Sequence, residues 1–166
     1  MNLRGMAAAG LALWLAACAT KLVSDDFAGP TATVRDSYKN VTSATLIKAG
    51  SADFFVLQRA DGKPVDNAIS ITRMTNTGNG FMLRPEGHER RVPIAAMQAE
   101  LHAETYYSAP VTALFSNTHE VTGMVSFTPV AGETYVVIGE LREGYAAVWI
   151  ETAGGEVVTA KVERRK

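Results

Sequence analysis

The last third of the chain alternates so regularly, and is broken by turn residues so often, that short strands are its natural conformation. In residues 122–128 Val125 and Phe127 share one side. Pro129-Val130-Ala131-Gly132 then leads into Tyr135-Val136-Val137-Ile138, Arg142-Glu143-Gly144 into residues 146–151, and Ala153-Gly154-Gly155-Glu156 into residues 157–162. Runs of this length, rich in Val, Ile, Tyr and Phe and separated by Gly-containing turns, predict three successive hairpins forming a C-terminal β-meander.

The preceding residues carry the same punctuation. Residues 31–35 (TATVR) form a short candidate strand. Residues 54–58 (FFVLQ) are continuously apolar before Asp61-Gly62, as a strand buried on both faces would be. Residues 68–74 (AISITRM) read as another strand before the loop Asn76–Gly80. Residues 81–84 and 90–94 flank Pro85-Glu86-Gly87-His88 and suggest an irregular hairpin. In residues 97–107 Met97, Ala99, Leu101 and Ala103 alternate with Gln98, Glu100, His102 and Glu104, which fits a half-buried strand. Ile94, Met97 and Leu101 also fit a helix face behind Pro93, and residues 108–117 share the ambiguity. The β surroundings favour the strand. Eight or so short strands predict an all-β fold, an antiparallel β-sandwich of immunoglobulin-like or transthyretin-like form, with a small partly closed barrel as the alternative.

Composition narrows the function. The chain has 166 residues, 16 basic against 17 acidic, and one cysteine. The charge balance argues against nucleic acid as a partner. A lone cysteine excludes an intramolecular disulfide framework and any CxxC site. That cysteine closes an unusual N-terminus. Arg4 is the only charge in residues 1–17, and residues 6–17 are apolar but too short to span a bilayer.

Leu15-Ala16-Ala17-Cys18 resembles the lipobox of bacterial lipoproteins. The resemblance implies a helical signal peptide at residues 1–17, cleaved after Leu15, Ala16 and Ala17. It implies a diacylglyceryl thioether on Cys18 and acylation, as by palmitate, of the new amino terminus. Ala19, where an aspartate resembles an inner-membrane retention signal, implies the outer membrane, facing the periplasm. Residues 18–30 then read as a lipidated tether and residues 31–166 as the folded domain. The glycine-punctuated strands also resemble those of small β-sandwich modules on other envelope lipoproteins.

Several side chains are candidates for a site. On a strand, Glu100, His102 and Glu104 project from one face at about 7 Å intervals. Such a row would suit a divalent metal, helped by His119 or Glu120, although polar alternation is also how a solvated strand face is built. Tyr145 and Trp149 share a strand side and would stack on sugar rings if exposed; in a core they would be packing residues. Arg84, His88, Arg90 and Arg91 would meet acidic headgroups, or form a charged hairpin that blunts edge pairing. The basic tail, residues 161–166, has the same two readings. Loop 76–80 lacks the strand-to-helix setting of a phosphate loop, and Asn40-Val41-Thr42 is a sequon by chance. Neither a GxSxG elbow nor a Cys–His pair is present. The expectation is a lipid-anchored, non-enzymatic envelope lipoprotein without a cofactor, an accessory module for another envelope protein. A carbohydrate- or peptidoglycan-binding sandwich is the alternative, and a metal-dependent enzyme comes third.

Overall fold

The computed structural model describes residues 21–109 and 119–165. In chain order the elements are β1 (Thr31–Arg35), β2 (Ser37–Thr42), β3 (Ser51–Ala60), β4 (Lys63–Pro64), α1 (Ala68–Thr75), β5 (Glu89–Pro93), β6 (Met97–Tyr107), β7 (Glu120–Phe127), β8 (Thr134–Arg142), β9 (Tyr145–Thr152) and β10 (Val162–Arg165). Two sheets pack face to face, ordered β10-β9-β8-β1-β5 and β2-β3-β6-β7, with the short β4 on β3. The protein is an all-β sandwich.

Alternation places the core between the sheets. Met97, Ala99, Leu101 and Ala103 of β6 point inward, as do Val121, Val125 and Phe127 of β7, against Val34, Val92, Val137, Val148 and Ile150 of the other sheet. Residues 97–107 are thus a strand throughout. A helix would have turned half of these apolar groups to solvent, whereas a period of two buries them all. Asp61 and Gly62 both have positive φ, the geometry of a two-residue hairpin turn, and return β3 into β4. Gly139 serves a different need. A Cβ there would lie 2.1 Å from the Ala147 carbonyl and 2.4 Å from the Phe55 ring, so the bare backbone is what lets Phe55 seat between the sheets.

Four expectations from the sequence are corrected. Residues 68–74 are helical, not extended. Asn67 caps α1 by accepting from Ser70 N, and the Ser70 hydroxyl accepts from Asn67 N. The buried positions Ala68, Ile69 and Thr72 follow a helical period, and Ala68 and Ile69 pack on Ala52, Phe54 and Val56, the outward face of β3. Capping and an apolar landing site override the β-branched composition.

Residues 81–84 do not pair with β5. They are held to the end of α1, where the Asn76 amide accepts from Arg84 N and donates to Arg84 O, each at 2.8 Å. β5 pairs with β1 instead.

The meander comprises β8, β9 and β10 alone. Residues 128–133 carry the chain from β7 in one sheet to β8 in the other. Val130 N donates to the Tyr135 hydroxyl, and Phe127 meets Tyr135 edge-on at 4.9 Å. Its last strand begins at Val162, while Val157 makes a single bridge to Glu151. The sheets are not wholly antiparallel either, because β1 runs parallel to β8.

Part of the segment read as a tether touches the domain. Leu22 packs against the main core, Lys21 pairs with Asp25 at 2.7 Å, and Arg91 donates to the Phe27 carbonyl at 3.2 Å. Leu22 and Phe27 are thus held to the domain.

Candidate functional site

The polar centre of the molecule sits where the chain changes sheets. β1 ends at Arg35, β2 begins at Ser37, and Asp36 between them is fully buried. One carboxylate oxygen accepts from Leu57 N at 3.0 Å and the other from Ala68 N, the first turn of α1, at 2.9 Å. Both also accept from the two terminal nitrogens of Arg90, a bidentate pair whose guanidinium side chain is only 9% exposed. Asp36 N donates to the His88 carbonyl. One residue thereby joins β3, α1 and β5. Among the described residues, Arg90 Nε is the buried side-chain atom without a partner. Beside this pair His88 lines a cavity of about 230 Å³ against Leu22 and Val65. Burial, and then the nearby Arg90 charge, hold the His88 ring below its ordinary pKa, against the opposite pull of Asp36, Asp66 and Glu89.

A second buried carboxylate, Asp53, lies on β3 opposite Lys39 of β2. It accepts from the Thr105 hydroxyl at 2.7 Å and the Asn40 amide at 2.8 Å. Asn40, the sequon residue, has φ of 53° and coincides with the irregular pairing of β2 on β3. Its side chain is thus structural.

The far end of α1 opens onto a groove of about 820 Å³. Arg73, Phe81, Glu104 and Tyr106 contribute to its walls. Tyr38, Phe54 and Tyr106 form an aromatic row across the outward face of this sheet, with centroids 5.8 and 6.2 Å apart, and the Arg73 guanidinium lies 5.8 Å from the Tyr106 ring. The loops at this end are joined by backbone bonds: Gly50 N to Phe81 O, and Ser108 N to Gly50 O, both at 2.9 Å. The Ser108 hydroxyl also donates to Phe81 O. Above them the β2–β3 connection ends in a closed turn. Thr45 N donates to Lys48 O at 2.8 Å, and Lys48 N donates back to the Thr45 hydroxyl. The two residues at its tip, Leu46 and Ile47, are 99% and 95% exposed.

The sequence-predicted sites fare differently. Glu100, His102 and Glu104 do share the outward side of β6, but their contacts separate them. His102 bonds Thr122 at 2.6 Å and Glu104 at 3.3 Å, whereas Glu100 turns to Arg59 at 3.6 Å. His119 offers its carbonyl to Thr105 N, and Glu120 faces Arg164 at 4.0 Å. Among the described residues, no three His, Cys, Asp or Glu side chains converge as metal ligands.

Tyr145 and Trp149 lie on the outward face of β9, because Ala146, Val148 and Ile150 take the inward positions. Trp149 is nevertheless 8% exposed. Lys161 Nζ sits 3.9 Å from its ring centroid, and its indole N–H donates to Glu151. Tyr145 carries the Arg142 and Arg165 guanidinium groups at 4.8 and 5.7 Å from its ring centroid and donates to Glu163, which raises its pKa. Neither tyrosine nor tryptophan presents the bare ring that sugar stacking needs, and neither belongs to the central core.

The basic cluster divides too. Arg90 is committed to Asp36, and Arg84 is tied through its backbone to Asn76. Leu15, Ala16, Ala17 and Cys18 lie outside the described residues, as does most of 108–117. The Leu46–Ile47 tip escaped the sequence reading. Its signal is an aliphatic pair set between Ser43-Ala44-Thr45 and Lys48-Ala49-Gly50, with no alternation to bury it.

No protein-family model, curated protein sequence or solved structure matches the chain. Fold and geometry alone define the described residues as a β-sandwich with one surface helix and an apolar tip.

Proposed function

We propose that the protein is a lipid-anchored lipoprotein of the bacterial envelope, whose sandwich serves as a non-enzymatic interaction module. The observation that carries this reading is the order Arg4, apolar stretch, Leu15-Ala16-Ala17, Cys18. The packing of Leu22 on the domain supports it in one respect. Only three peptide units separate Cys18 from Lys21, a reach of about 10 Å, so acyl chains at Cys18 would hold the domain against the headgroups. Ala19 favours the outer membrane, facing the periplasm. The non-enzymatic part is supported by the occupation of the buried acids: Asp36 and Asp53 are both spent on structural bonds. The groove at the end of α1 offers a partner protein an aromatic and cationic surface.

Lipid labelling and membrane fractionation test the anchor. Cys18→Ser should abolish lipid incorporation and release the protein from the membrane fraction; unchanged labelling sinks the reading. A photo-crosslinking residue at Phe81, which is 43% exposed, tests the module. A discrete adduct is expected in intact cells, and its absence argues against a partner at the groove.

A further inference from the structure

We infer that the β2–β3 turn is a membrane-inserting tip, by which the folded domain itself enters the surface of an anionic bilayer. Folding buries aliphatic side chains wherever a partner surface exists. Leu46 and Ile47 are adjacent, the largest apolar groups of their turn, and almost wholly in water. Their turn is closed by two hydrogen bonds between Thr45 and Lys48, so the tip is a formed projection.

The shape and the charge around it select the occupant. A flat apolar patch fits a protein face, whereas two aliphatic groups on a convex point fit a medium that closes around them. The collar is cationic. Residues 37–52 and 67–85 contain Lys39, Lys48, Arg73 and Arg84 and no Asp or Glu. These segments meet at this end through the Gly50–Phe81 bond and through Leu83, which packs with Phe54 beneath α1. Lys39 is drawn inward, donating to Gly139 O. Lys48 borders the tip directly, and the remaining cations sit in the neighbouring segment. Met82, 55% exposed, extends the apolar surface beside the tip. Aliphatic groups at the point, with Lys48 beside them and no Asp or Glu between Ser37 and Ala52, match acyl chains below phosphate headgroups.

The inference goes beyond the anchor and does not require acylation, so the two can fail separately. The test uses the full chain carrying Cys18→Ser, with Leu46→Cys as the sole thiol, labelled with a polarity-sensitive fluorophore. A second protein carries the label at the exposed Ala153 in the β9–β10 connection. Because the N-terminal apolar segment can itself bring the chain to vesicles, the readout is local. With vesicles containing phosphatidylglycerol, the probe at position 46 should shift to the blue and be quenched by nitroxide-labelled lipid. The probe at 153 should do neither. Ile47→Asp should lower the quenching affinity at 46 by about tenfold or more, the loss expected for one large aliphatic group. Raising the salt, or using phosphatidylcholine alone, should weaken it further. Equal response to neutral and anionic vesicles would overturn the role of the collar. A probe at 46 that responds to neither would overturn the insertion and leave a protein groove as the tip's occupant. Both variants alter a residue at least 95% exposed, so unchanged thermal unfolding checks that the domain is intact.

Discussion

The Asp36–Arg90 junction and the Leu46–Ile47 turn reverse the usual arrangement in opposite ways. At the junction a charged pair is buried; at the turn an aliphatic pair is bare. The junction is compensated within the chain. Asp36 receives two backbone N–H groups and a bidentate guanidinium, so its desolvation is offset by four hydrogen bonds. The turn has no compensation within the described residues. A buried charge with all its partners supplied is part of the architecture, whereas an exposed apolar pair on a closed turn is directed outward.

Separating the members of the junction should have the largest effect on stability. Arg90→Met leaves the Asp36 carboxylate buried without its counter-charge and should cost about 3–5 kcal/mol, measured by denaturant unfolding. Adding Asp36→Leu should not restore the wild-type value, because Leu57 N and Ala68 N would then be buried without an acceptor. Full recovery in the double variant would show that the ion pair matters only as a pair.

A smaller effect should follow from His88. Its pKa is lowered in the folded state, so the unfolded chain takes up the proton first as pH falls. The stability contributed by the neutral ring is fully present above the ordinary value of 6.5 and is lost as pH drops from there through the lower folded value. Thermal midpoints measured from about pH 7.5 to about pH 5 should fall less steeply in His88→Gln than in the parent. Identical slopes would mean that His88 does not sense the junction.

The smallest effect on stability belongs to the turn. Leu46→Ser with Ile47→Ser should change unfolding free energy by no more than about 0.5 kcal/mol, since neither side chain packs on the domain. A marked loss would mean that the pair stabilises the fold.

Much of the fold was legible where one physical signal dominated. Residues 31–35 and 97–107 coincide with β1 and β6, because strict alternation can bury its apolar half only as a strand. Residues 68–74 were misread because their β-branched composition says strand, while the deciding contacts come from outside the segment. Asp36 is thirty-two positions from Ala68, and Phe54 lies on another element. The same holds for Trp149. Its side of the strand was legible, but Lys161, which covers it, reaches it only through the return of residues 156–161 along β9. The row of Glu100, His102 and Glu104 was correctly placed on one face, yet Arg59 and Thr122 on neighbouring strands decided how those groups are used.

The sequence by itself determined the strand periodicity, the turns and the short apolar stretch before Cys18, because each depends on the spacing of neighbouring residues. Tertiary structure decided which strands share a sheet, that β1 runs parallel to β8, that one β-rich run coils on β3, and that Leu46 and Ile47 are left outside. Those outcomes depend on which distant groups arrive to satisfy a donor or cover an apolar face, and local spacing does not contain that information.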